Sequence, residues 1–231
     1  MHIGSHFMHL LAATLLLTGG FAQIAVADRF CTPFLDGKVK HSVLETILHA
    51  AKKGYLYRIQ PATSDVKFCV DSRLSHIEGR FKEIEGGIAM QPGAENQGQA
   101  LLSIDVDSVS TSNILVEKAI KSGVFIDVEN YPQILFVSTG FEWLIGNEGV
   151  VKGDLTLHGV TRPVTLNVTL SDVKGGKVNN SDVILIKMTV PISRADYGMR
   201  KRRLLVSDSV MLCMSVQAKR SNLSCMQCHN K

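Results

Sequence analysis

The chain has 231 residues, 45% of them apolar and 20% charged, an ordinary balance for a globular protein with a sizeable core. Its formal net charge of +4 and pI of about 8.8 are only mildly basic. That charge density, with no aromatic-plus-basic RNA motif, zinc-finger spacing or helix-turn-helix pattern, argues against a nucleic-acid partner.

Residues 1–27 contain no Lys, Arg, Asp or Glu. An apolar run from Leu10 to Leu17 is followed by the small-residue triplet Ala25-Val26-Ala27. This pattern predicts a secretory signal peptide cleaved near Ala27, and hence export to the periplasm. The apolar stretch is short for a membrane span.

Residues 28–54 form an extension with a predicted helix over about 43–53. Ser42 and Glu45 have capping-box spacing, Val43, Leu44, Ile47, Leu48 and Ala51 recur at helical intervals, and Gly54 is a natural stop. The helix is expected to pack on the main domain and close one end of it.

From 55 to 219 the apolar period changes to two. Val66, Phe68 and Val70 alternate with polar neighbours, and Phe81 follows. The alternation returns at Leu102-Ile104-Val106, Leu155-Leu157, Leu166-Val168-Leu170, Ile186-Met188-Val190 and Leu212-Met214-Val216. Such alternation specifies half-buried antiparallel strands. About eight of them, with Gly, Asn, Asp and Pro between, predict an all-β barrel or sandwich. One helix interrupts them over Ile114–Lys121, capped by Ser112 or Asn113, as suits a barrel with one covered mouth.

Four segments resemble the YceI-like polyisoprenoid-binding family over about residues 57–218. They are Tyr57-Arg58-Ile59-Gln60-Pro61 with Ser64, Val66 and Phe68; Phe125-Ile126-Asp127-Val128-Glu129-Asn130-Tyr131-Pro132; the hairpin running from Gly153 to Val164; and Arg194-Ala195-Asp196-Tyr197-Gly198. The resemblance implies a lipocalin-like eight-stranded antiparallel barrel around an apolar tube, which takes a long-chain isoprenoid lipid such as a polyisoprenoid or an isoprenoid quinone. An eight-stranded barrel is wide enough for one slim ligand. The chain departs from the family pattern at Asp71-Ser72-Arg73-Leu74, where Ser72 stands nearest a position that often holds His.

The expected cavity lining is Val66, Phe68, Val70, Phe81, Leu155, Leu157, Leu166, Val168, Met188, Val190, Leu212 and Met214. Arg162, in the hairpin turn with His158 and Thr161, and Arg194 are candidates to meet a headgroup; Arg194 is alternatively an ion-pair partner of Asp196. Cys69 and Cys213 lie at the outward phase of the first and last strands, which are neighbours in a closed barrel, so a disulfide there is expected. Arg200-Lys201-Arg202-Arg203 is a basic run suited either to a solvated loop or to an anionic membrane surface.

The 220–231 tail carries Cys225-Met226-Gln227-Cys228-His229, the attachment spacing of covalent haem c, with Cys225 and Cys228 as thioether points and His229 as ligand. A disulfide or metal-binding tail is the alternative. Neither a Ser/His/Asp set nor a pair of carboxylates announces an enzyme. The resemblance, together with the signal-peptide pattern, implies a periplasmic carrier of an isoprenoid lipid, with a haem-bearing, quinone-linked electron-transfer protein as the alternative and a homodimer as a further arrangement.

Overall fold

The computed structural model describes Phe34 and residues 38–144, 146–173, 181–201 and 204–221. The signal-peptide and haem-motif expectations, including Cys225, Cys228 and His229, lie outside these residues. No helix among them is long and apolar enough to cross a membrane.

Among the described residues, eleven strands form one antiparallel sheet. They are β1 Leu56–Ile59, β2 Asp65–Ser72, β3 His76–Phe81, β4 Ile84–Ala89, β5 Gln99–Asp105, β6 Val109–Thr111, β7 Gln133–Trp143, β8 Glu148–Leu157, β9 Val160–Asp172, β10 Val183–Ser193 and β11 Val206–Arg220. The pairing order β1-β4-β5-β7-β8-β9-β10-β11 closes through a β1–β11 ladder, giving a ring of eight. Strands β2, β3 and β6 continue β1, β4 and β5 upward after short breaks, because β11 pairs with β1 at its lower end and with β2 at its upper end. The fold is thus an eight-stranded antiparallel barrel in which three staves are kinked. Closure gives each of the eight staves a partner on both sides over part of its length, which limits the edge left open to another chain.

The alternating apolar side chains point inward and make one core that includes Tyr57, Phe68, Phe136, Leu155, Leu166 and Met214. Some outward positions are also apolar, and α1 (His41–Lys52) explains them. Its Ile47, Ala50 and Ala51 cover Leu56 and Ala89. Leu44, with Phe34 and Val39, covers Leu101 and Leu135. The helix therefore sits on the outer wall and does not close an end of the barrel.

The expected capping box is not formed. The helix begins at His41 after Lys40, so Ser42 is already inside it, and Glu45 faces His41 at 3.2 Å. In α2 (Ile114–Lys121) the expected cap is present: Asn113 Oδ1 accepts from the Leu115 N–H at 2.9 Å and the Val116 N–H at 3.4 Å. The β8–β9 hairpin turns on His158 and Gly159, with φ of 52° and 70°, the positive pair of a two-residue primed turn. Thr161 and Arg162 consequently lie in β9 rather than in the turn, a correction to the sequence reading.

Candidate lipid cavity

The barrel is hollow. An upper chamber of about 250 Å³ and a lower one of about 70 Å³ lie within the ring of strands. They share Leu102, Phe136, Leu166, Met188 and Met214, which form a waist between them.

The strands place the inward side chains by simple alternation. Phe68, Val70, Phe81, Leu155, Leu157, Leu166, Met188, Val190, Leu212 and Met214 line the upper chamber. Val168 lines the lower one. Val66 borders neither chamber; it is 1% exposed and packs opposite Phe81 and Met214. Phe68 and Phe81 meet with ring centroids 5.6 Å apart.

Other lining residues escaped the sequence reading. Leu102, Ile104, Ile134 and Phe136 alternate like the rest and were within its reach. Val116, Ala119 and Ile120 come from the apolar face of α2, which covers the upper mouth where β6 and β7 do not pair. Phe125 and Ile126 come from an irregular segment with no period to reveal them.

Among the described residues, every one that lines the upper chamber except Arg194 is apolar. Arg194 is 4% exposed, and its guanidinium donates to the carbonyls of Lys201 at 3.1 Å and Ser207 at 3.1 Å. It also lies 5.2 Å over the Phe125 ring. The side chain pins the segment between β10 and β11 to the barrel roof, while Asp196 is exposed. Arg162 is exposed too and donates from Nε to the Asp196 carbonyl at 3.2 Å. Close by, His158 Nδ1 lies 3.1 Å from the Tyr197 carbonyl. Burial raises the Tyr197 phenol above its ordinary pKa.

At the lower end of the barrel Tyr57 is buried in the core. Its hydroxyl donates to the Ser181 carbonyl at 3.1 Å and accepts from Arg220 Nη2 at 2.7 Å. Trp143 borders the lower chamber, and its indole Nε1 is buried with no hydrogen-bond partner among the described residues.

The expected Cys69–Cys213 disulfide is not formed. Cys69 stands opposite Met211 and Cys213 opposite Lys67, so the two are diagonal neighbours and both thiols are free. Diagonal residues on paired strands have Cα atoms about 7–8 Å apart, with Cβ atoms only somewhat closer, whereas a disulfide wants Cβ atoms about 3.8 Å apart. Burial is the main cause that pushes the Cys69 thiol pKa up.

A chamber walled by aliphatic and aromatic side chains, with Arg194 as the one charged lining residue among those described and bonded to backbone carbonyls, can solvate hydrocarbon. Comparisons with known proteins agree with this architecture. A UPF0312 protein of Pseudomonas putida strain W619 is 34% identical over 107 residues, covering 44% of this chain and 56% of the relative. One from Vibrio cholerae is 31% identical over 114 residues, covering 49% and 60%. The matched region thus spans little more than half the length of these curated relatives. The crystal structure of Burkholderia cenocepacia BcnA superposes with a TM-score of 0.63 at 25% identity, covering 70% of this chain and 99% of that one. A polyisoprenoid binding domain from Saccharophagus degradans has the same fold, with a TM-score of 0.54 at 19% identity, covering 71% and 98%. The family model described as YceI-like domain matches residues 57–218, and the chain belongs to that family.

Proposed function

We propose that this protein is an exported binding protein, not an enzyme, that holds the tail of a polyisoprenoid or isoprenoid quinone in its barrel. The observation that carries the reading is the upper chamber, about 250 Å³ of space walled by apolar side chains. A dry cavity of about 150 Å³ accepts benzene, so this chamber takes about ten carbons, or roughly two isoprene units. At about 0.8 kcal/mol per buried CH₂, they supply about 8 kcal/mol before the costs of association. The polyisoprenoid-binding neighbour supports the choice of lipid.

Export rests on the signal-peptide pattern of residues 1–27. Delivery from an anionic membrane surface is supported by the upper rim. There Leu74 is 96% exposed and Leu204 78% exposed. Exposed Arg73, Arg200 and Lys201 flank them, and the Arg73 N–H donates to the Leu205 carbonyl at 2.9 Å. Apolar side chains ringed by cations suit an interface of anionic headgroups.

Native mass spectrometry of protein isolated gently from its own host tests the proposal. The expected result is an adduct whose mass matches a prenyl lipid and which disappears on organic extraction. Protein that emerges free of lipid, and takes up no added polyprenol, overturns it.

A further inference from the structure

The ladder between β9 and β10 runs from the Asp172–Ile184 pair up to the Val168–Met188 pair and stops there. Above that level β9 stays paired to β8 as far as Val160, and β10 stays paired to β11 as far as Ser193. Both remain strands, yet their facing edges part. Pro163 lies on one edge and Pro191 on the other. Proline has no N–H with which to close a ladder. The seam is tied again at the rim by the Arg162–Asp196 hydrogen bond of 3.2 Å. Between tie and ladder is a slot about five residues tall, or roughly 17 Å at the rise of a strand.

On the inside, Val164 and Val190 line the upper chamber from the two edges of the slot, and both are only half-buried. On the outside, at the foot of the slot, lies a polar groove of about 440 Å³. Asn167, Thr169, Lys187 and Thr189 line it, together with Lys67, which pairs with Asp65 at 2.6 Å. Met188 and Met214 border this groove and also both inner chambers. A polar pocket outside and an apolar one inside therefore meet at two unbranched, easily rearranged side chains.

We propose that a lipid threads its tail sideways through the β9–β10 slot and leaves its headgroup in the outer groove, where Lys187, Asn167 and Thr189 receive a phosphate. The inference rests on the lipid-binding reading above and adds to it the route and the headgroup chemistry: a prenyl phosphate rather than an uncharged prenyl alcohol. The Lys187 ammonium supplies the charge, and the amide and hydroxyl supply further donors to the phosphate oxygens.

The test compares farnesyl phosphate with farnesol by calorimetry, and their rates by stopped-flow fluorescence of Trp143, the single tryptophan. Lys187→Glu is expected to weaken farnesyl phosphate roughly tenfold to a hundredfold, the value of a hydrogen bond to a charged group, and to leave farnesol unchanged. Thr165→Cys/Pro191→Cys places a disulfide across the middle of the slot, in the register that continues the Val168–Met188 pair. Once oxidised, and against the parent chain oxidised alike, it is expected to slow association of both lipids at least tenfold, with recovery on reduction. If the cross-link does not form, Val190→Phe narrows the same slot from within, adds no second tryptophan and is read in the same way. Equal loss of both lipids in Lys187→Glu overturns the headgroup site, and unchanged association rates with the slot blocked overturn the route. A wild-type chain that binds neither lipid removes the lipid-binding reading itself, a result distinct from either.

Discussion

Met214 stands at the waist of the barrel, 8% exposed and bordering both chambers. Met214→Ala removes the thioether and terminal methyl that help divide about 250 Å³ from about 70 Å³. On the benzene scale, joining the two raises capacity from about ten carbons to about thirteen, before the volume of the lost side chain is added. The wild-type chamber should therefore show affinity that climbs with prenyl length and levels off near two isoprene units. In the variant the plateau should move to about three. The added unit is worth up to about 4 kcal/mol at about 0.8 kcal/mol per carbon, so a gain of at least about tenfold for a fifteen-carbon over a ten-carbon alcohol is expected. Stability moves the other way. A buried Met→Ala change costs about 2–5 kcal/mol, and the low end applies because the site already adjoins empty space. For a domain of this size that is a fall in Tm of about 4–8 °C. Calorimetric titration with ten-, fifteen- and twenty-carbon prenyl alcohols, alongside a thermal melt, reads both effects. Affinity that rises with chain length identically in both proteins would refute the two-chamber reasoning.

Three further outcomes are expected. Gly159 holds φ of 70°, and a Cβ there would run into the Tyr131 ring, so Gly159→Ala should lower stability by about 1–3 kcal/mol with lipid affinity kept, as read by urea unfolding and titration. His76 Nδ1 lies 2.6 Å from Asp71 Oδ1, and this hydrogen bond is the main cause that raises the imidazole pKa above 6.5. Its stabilising effect is full below the unfolded-state pKa and is lost as pH rises through the higher folded value. NMR titration should show the raised pKa dropping in Asp71→Asn, and no drop would contradict the contact. Peptide mapping of the folded protein under non-reducing conditions should find alkylated Cys69 and Cys213 and no cross-link between them; a 69–213 bridge would mean that the β2–β11 register is wrong.

Local pattern carried much of this fold because a strand has only two faces. Once Leu155, Leu157, Leu166 and Met214 alternate with polar neighbours, their common side follows from the pleat alone. The Asn113 cap was equally legible, since Asn bonding the amides two and three residues on is a short-range event. What failed needed information from outside the segment. Ser42 has a cap's spacing, but helix α1 starts at His41 as it packs Leu44 and Ile47 against outward-facing Leu101 and Leu56. Cys69 and Cys213 share a face, yet their alignment depends on the β2–β11 register, which shifts between Val206 and Val210. Alternation likewise cannot tell a filled interior from a hollow one, because Val66 and Phe68 have the same phase although only Phe68 borders the cavity. The chamber volume, the α2 roof and the parted β9–β10 edges are set by how eight staves close on one another, and closure is a property of the ring that no single strand encodes.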